Sequence, residues 1–340
     1  MDHQQNLISP IQKEEDTMAY PAEYRGEIEK LLKASIADNT KKAYHSRIKI
    51  FFKWCEDNEI SSKFPVKPEI IAAYLAYLSS RDTPYSTVAL SMTAIKVLHK
   101  LQGQADPTSS TIVKQLLRGY RRQHGTATHK KAAATIDIIK KMIDSLREES
   151  QRDERDLILS TRDQAIIMLG FCGAFRRSEL SDLNLEDLTW TKRKDDQDVL
   201  IVTVRKSKTD QEGTGQVKVI YPSEDKRYCP LRLLRKWINL SGITEGPLFR
   251  PVRRGGHIQN RRLTTQYIAK IIKWAAEKAQ IELDLSGHSL RSGFVTTAIR
   301  QGKTERSIMH QTGHKSVMTL REYIQRESII DDNAAEGIVK

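Results

Sequence analysis

Four short stretches in the second half of the chain carry side chains suited to handling a phosphate. They are FRRSEL (175–180), KSKTDQ (206–211), HSLR (288–291) and the Gly-His pair at 313–314, which stands nine residues ahead of Tyr323. A phosphodiester anion repels nucleophiles, and the transition state of its displacement spreads more charge over the nonbridging oxygens. Two guanidiniums meet that charge permanently and in a planar donor geometry. Arg176, directly after a helix that reads as buried, and Arg291, at the start of another, are therefore the expected clamp. A tyrosine with an ordinary pKa of about 10 attacks only with a proton acceptor or strong cationic stabilisation of its phenolate. His288 is suited to accept the Tyr323 proton, a water being the alternative acceptor, or to bond the phosphate; His314 is suited to bond the phosphate. A departing 5′ oxygen needs a general acid, and the ammonium of Lys208 on a hairpin turn fits that place, with Lys206 as the alternative two residues away. Glu179 fits a supporting place, fixing an arginine or capping a helix.

No one of these stretches is specific by itself. With 9 histidines and 56 basic residues in 340 positions, an H-x-x-[K/R] match arises by chance roughly 1.5 times, so the weight lies in the joint order. Tyr323 is one of 11 tyrosines, and without a phosphate clamp it would be a packing residue.

The bulk properties agree with an anionic partner. A chain of 340 residues predicts two domains. A formal charge of +13 attracts polyanions, and with no apolar run near the roughly 20 residues of a membrane span, nucleic acid is favoured over a membrane. The N-terminus MDHQQNLISPIQKEED has neither a basic n-region nor an apolar core, which argues against secretion. Cys55, Cys172 and Cys229 lie far apart without ligand spacing, which points to a reducing compartment and to no structural zinc. No carboxylate cluster at two-metal spacing and no GxxxxGK loop appears, so the expected chemistry uses no metal, nucleotide or other cofactor.

The elements that must position these residues differ between the two halves. Residues 25–122 read as nearly all helix: a polar cap at Asp38–Thr40 precedes Tyr44, Ile48, Phe51, Phe52 and Cys55; PEIIAAYLAYLSS places Ile71, Tyr74, Leu75 and Leu78 on one face; STVALSMTAIKVLHKLQG starts at a serine cap; and a helix after Pro107 turns Ile112, Val113, Leu116, Leu117 and Tyr120 inward. The glycine-containing basic run from Arg118 to Ala134 suits a linker touching phosphates. Further on, DQAIIMLGFCGAF reads as a buried helix ending near Gly173, VLIVTVRKS and QVKVIYP as a β-hairpin, and PLRLLRKWINLSG, TTQYIAKIIKWAAEKAQ, HSLRSGFVTTAIRQG and TERSIMHQTG as helices.

In this order the stretches resemble the tyrosine recombinases, the family of the phage-integrase, Cre and Xer branches. The resemblance runs from about Thr40 to Ile329, with specific motifs between Gly173 and Tyr323. GAFRRSEL is similar to the first arginine box, KSKTDQEGTG to the lysine hairpin, GHSLRSGF to the His-x-x-Arg box, and QTGHKSVMTLREY to the terminal box with its nucleophilic tyrosine. The resemblance implies a mainly α chain with a small β-sheet: an all-helical core-binding domain that closes over DNA, joined to a mixed α+β catalytic domain. The expected division is a polar mobile tail at 1–21, the helical domain at 22–123, a basic linker at 124–134, the catalytic domain at 135–328, and a segment at 329–340 that docks on a neighbouring subunit.

It further implies a site-specific recombinase or integrase that cuts and rejoins DNA through a 3′-phosphotyrosine link. Type IB topoisomerase-like relaxation and non-catalytic DNA binding on the same scaffold are the alternatives. The implied partners are double-stranded DNA and three more copies of the chain on two DNA sites, with an accessory DNA-bending or sister recombinase protein as a further candidate. The expected location is cytoplasmic and nucleoid-associated. Lys41, Lys42, Arg47, Arg118, Arg121 and Arg122 are the candidate DNA contacts of the helical half.

Overall fold

Apolar residues at helical spacing organise the first half of the chain. Four helices, α1 (Asp38–Asp57), α2 (Pro68–Ser80), α3 (Tyr85–Leu101) and α4 (Thr111–His124), each bury one stripe. The stripes are Ile48, Phe51, Trp54 and Cys55; Ile71, Tyr74, Leu75 and Leu78; Val88, Met92, Ile95 and Leu98; and Val113 with Tyr120. Tyr74 packs against two other aromatic residues, with its ring centroid 5.0 Å from those of both Phe51 and Trp54. The computed structural model describes residues 35–61, 64–127, 131–150, 153–205, 215–314, 316–318 and 320–321, together with Glu27 and Lys30. The expectations for the tail at 1–21, for Lys206, Lys208 and Tyr323, and for the segment at 329–340 lie outside the described residues.

Several local expectations are corrected. α1 starts at Asp38 behind an Ala37 backbone cap, so Asp38–Thr40 lie within the first turn, where the acidic side chain favours the positive helix end. α3 is capped by Pro84 and not by a serine. Ile112 and Leu116 of α4 are 48% and 40% exposed and do not point inward. The inward stripe there is Val113, Leu117 and Tyr120, and a position one residue off a stripe is turned about 100° around the helix.

The chain divides into two units, Met1–His129 and Lys130–Lys340. The second unit contains α5 (Ile136–Glu149), α6 (Glu154–Cys172), α7 (Arg177–Asp182), α8 (Pro230–Ser241), α9 (Thr265–Lys278), α10 (Ser289–Arg300) and α11 (Glu305–Thr312). α6 is its axis, buried from Ser160 to Phe171. Even Arg162 and Asp163 are withdrawn from water there, joined through Nε and Oδ1 at 2.8 Å. The sheet is antiparallel in the order β1 (Leu188–Lys192), β2 (Asp198–Val204), β3 (Gln216–Ile220). β2 and β3 are the expected hairpin. β1 was not expected; its half-buried Leu188 and Trp190 alternate with exposed Thr189 and Thr191, but the strand is short and none of its residues is fully buried.

The end of the expected linker belongs to the second unit. Ala132 N donates to Asp284 O at 3.2 Å and Ala134 N to Ser289 O at 3.0 Å, and Ala134 is fully buried. Residue 293 is glycine because this segment crosses α10 so closely that a Cβ there would overlap the Ala134 backbone. Among the described residues no helix is long and apolar enough to cross a membrane.

Candidate active site

The turn that ends α6 organises both arginines. After Gly173 the backbone passes through Ala174 with φ 46°, and two residues later Arg176 occupies the N-cap of α7. Glu179 Oε2 accepts the Arg176 N–H at 2.9 Å, satisfying one of the helix-start donors, and Oε1 accepts Arg176 Nη1 at 2.5 Å. Glu179 is 2% exposed. The next arginine, Arg177, is exposed and lays its methylenes over Gly287; of the two consecutive arginines, Arg176 is therefore the one built into the site. Arg291, in the first turn of α10, is 1% exposed and donates through Nη1 to the Ala174 carbonyl at 2.8 Å. One three-residue turn thus holds Arg291 by its carbonyl and presents Arg176 at its end.

The histidines sit at helix ends. His288 is exposed at the N-cap of α10, its N–H donating to Ser286 Oγ at 3.3 Å. His314 follows Gly313, which ends α11 in the left-handed region at φ 70°. Its Nδ1 lies 3.0 Å from Thr312 Oγ1, and that hydroxyl donates to Ile308 O at 2.7 Å. Burial pulls the His314 pKa down to about 4, and the charges of Arg291, Arg176, His288 and Lys218 act in the same direction. His314 is therefore uncharged at neutral pH. Arg176, Lys218 and the His288–Arg291 stretch, three separate segments, converge on this one imidazole, which brings Arg176, His288, Arg291 and His314 together in one field.

Lys218 belongs to that field and was not among the expected residues. In QVKVI the apolar residues that alternate with Lys218 suggest that the valines face inward. The pairing reverses this: Val202 lies opposite Lys218 and Leu200 opposite Ile220, so Lys218 shares the buried face while Val217 is 48% exposed. The signal was the parity of β2, whose Leu200, Val202 and Val204 are all buried. Lys218 is fully buried, donates from Nζ to Gln311 O at 2.7 Å and lies 5.1 Å from the centroid of the Phe175 ring. Burial pulls its pKa down to about 7, Arg291 and Arg176 add to the fall, and Glu179 opposes it.

The candidate DNA contacts of the first unit lie on two helices. Lys41, Lys42 and Arg47 belong to α1, where Lys41 pairs with Asp38 at 3.3 Å, Lys42 is exposed and Arg47 is half-buried. Arg118, Arg121 and Arg122 are exposed near the end of α4, with the Arg121 guanidinium carbon 5.7 Å from the centroid of the Tyr85 ring. The cysteines are free thiols, Cys55 and Cys229 buried and Cys172 half-buried. Among the described residues no group of three or more His, Cys, Asp or Glu is placed to hold a metal ion.

Comparison with known proteins places this arrangement. Residues 137–328 match the phage integrase family, and residues 28–103 match the phage integrase N-terminal SAM-like domain. The chain is 34% identical over 307 residues to an integrase/recombinase XerD homolog of Selenomonas ruminantium, covering 89% of this chain and 86% of that protein. It is 25% identical over 305 residues to the recombinase Cre of Escherichia phage P1, covering 86% and 85% of the two chains. In fold it is similar to a XerH site-specific recombinase solved in a post-cleavage complex with palindromic difH substrate. That likeness has a TM-score of 0.63 at 15% identity and covers 91% of this chain and 82% of the other. With two helix-end arginines and two histidines gathered in the matched region, the chain belongs to the phage integrase family of tyrosine recombinases.

Proposed function

We propose that this site-specific recombinase cuts DNA by attack of Tyr323 on a phosphodiester, forming a 3′-phosphotyrosine link, and that it works as a homotetramer on two duplex sites. The observation that carries the reading is the convergence of Arg291, Arg176, His288 and Lys218 on His314, whose pKa is held near 4 by burial with those groups adding to it. Such a pocket is organised for an anion before the anion arrives. Arg176 and Arg291 neutralise the nonbridging oxygens. His314, being neutral, bonds the phosphate without adding charge. The Tyr323 oxygen forms a bond to phosphorus as its proton passes to His288 or to water, the bond from phosphorus to the 5′ oxygen breaks, and Lys208 protonates that oxygen. The link keeps the energy of the broken bond, so a free 5′ hydroxyl from a second strand reverses the step. These side chains supply the charge stabilisation that the reaction needs, and the scheme calls on no nucleotide or metal.

The test is covalent capture of a nicked suicide substrate, with the target site recovered by sequencing the adducts. Capture by the natural protein and its loss in Tyr323→Phe, with DNA affinity kept, is the expected result. Undiminished capture by Tyr323→Phe overturns the assignment. Relaxation of any supercoiled plasmid without a preferred site would instead assign a type IB topoisomerase-like activity.

A further inference from the structure

A lysine withdrawn entirely from water is unfavourable unless its charge is used. At position 218 an aliphatic residue would match its neighbours, since Lys218 lies opposite Val202 and on the same face as Ile220. We propose that Lys218 is a positioning residue for strand cleavage. Its ammonium holds the C-terminal turn of α11, and with it His314, beside Arg176 and Arg291.

The geometry supports this in three steps. The last four carbonyls of a helix have no partner within it, and positive charge beside them is favourable. Lys218 Nζ meets one of them, Gln311 O, at 2.7 Å. Two more bonds run between β3 and the same turn: Gln311 Nε2 donates to Val219 O at 3.0 Å and Gln216 Nε2 to His310 O at 3.3 Å. Gln311 Nε2 also donates to Cys172 O at 2.9 Å, at the end of α6 from which the Arg176 turn springs. Gln311 is thus the junction of the Arg176 turn, the β2–β3 hairpin and the His314 turn, and Lys218 supplies its charged tie. The charged and titratable groups around the ammonium are Glu179 and Arg176 at α7, Arg291 on α10 and His314 after α11. Because the ammonium is buried and donates to a backbone carbonyl, it acts through the turn and does not touch the phosphate.

The inference rests on the cleavage reaction proposed above, and its test separates the two. In the full chain, Lys218→Met is expected to fold, to bind DNA within about threefold of the natural protein, and to capture suicide substrate about 10- to 100-fold more slowly at saturating DNA, the usual size of an orienting effect. The His314 imidazole, followed by NMR, is expected to titrate at higher pH in this variant, with Lys218→Arg restoring part of the capture rate. Capture within twofold of the natural protein together with an unmoved His314 titration overturns the proposal. A second measurement needs no variant: the Lys218 Nζ signal of the natural protein is expected to be protected from solvent exchange and to correlate with the Gln311 carbonyl carbon. A solvent-exchanging Lys218 signal overturns the tie even if Lys218→Met does not fold. Absence of capture by the natural protein itself would overturn the cleavage reading, while the Nζ measurement still decides the tie.

Discussion

Cationic side chains occur in this protein in two settings that behave differently. Near the end of α4, Arg118, Arg121 and Arg122 are exposed and spaced to share one stripe of the helix. In the second unit Arg291 and Lys218 are 1% and 0% exposed and Arg176 is braced by a buried carboxylate. Charges of the first kind act through a field that salt screens within about 10 Å. They add to one another and are close to interchangeable. Charges of the second kind have fixed partners, and burial, with the neighbouring cationic groups adding to it, lowers the pKa values of His314 and Lys218. Their mutual repulsion is offset in part by Glu179, and an incoming phosphate would offset more. Residue type is therefore a poor guide to role, and burial with named partners is a better one.

The contrast can be broken by substitution. Arg291→Ala is expected to slow single-turnover cleavage on the order of 10²- to 10³-fold, the size seen when one preorganised donor is removed, with a much smaller change in DNA affinity. An affinity loss that accounts for the whole effect would make Arg291 a binding residue, the role proposed for the arginines of α4. Glu179→Gln leaves the Arg176 guanidinium without its charged partner. Thermal unfolding should show a loss of about 2 kcal/mol, accompanied by roughly tenfold slower cleavage; equal activity would show that Arg176 needs no brace.

The buried groups also have a pH signature. His314 lies near 4 in the folded protein against an ordinary 6.5, so between those values the unfolded chain binds more protons and stability falls as the pH falls. Lys218 lies near 7 against 10.5; it carries no penalty above 10.5 and a growing one down to 7. Chemical denaturation across pH should show stability rising less from pH 7 to 10 in Lys218→Met than in the natural protein, and rising less from pH 4 to 6.5 in His314→Gln. Parallel curves would remove the distinction between buried and exposed charge. The smallest effects belong to α4. Alanine at Arg118, Arg121 or Arg122 should weaken DNA binding a few-fold and reduce the slope of log affinity against log salt by about 1 each, with cleavage at saturating DNA within twofold. Slower cleavage there would merge the two classes.

Much of this molecule was determined locally. Helical spacing identified the buried faces of α1 and α2, because side chains three and four apart share a face whatever packs against it. The order of the arginine, lysine, histidine and tyrosine stretches indicated the family, and the place of Arg176 directly after a buried helix, three residues before Glu179, followed from the chain alone, whereas the short helix that Arg176 caps did not. Other features required the assembled structure. Ile112 and Leu116 face outward because the neighbouring helices take the adjacent stripe of α4. Ala134 is buried because α10, remote in sequence, offers a glycine for it to cross. Lys218 faces inward because β2 sets the parity of β3, and its charge is accommodated by Gln311, 93 residues along the chain. Periodicity reports which residues travel together, but which way they face depends on contacts that only the folded chain brings within reach.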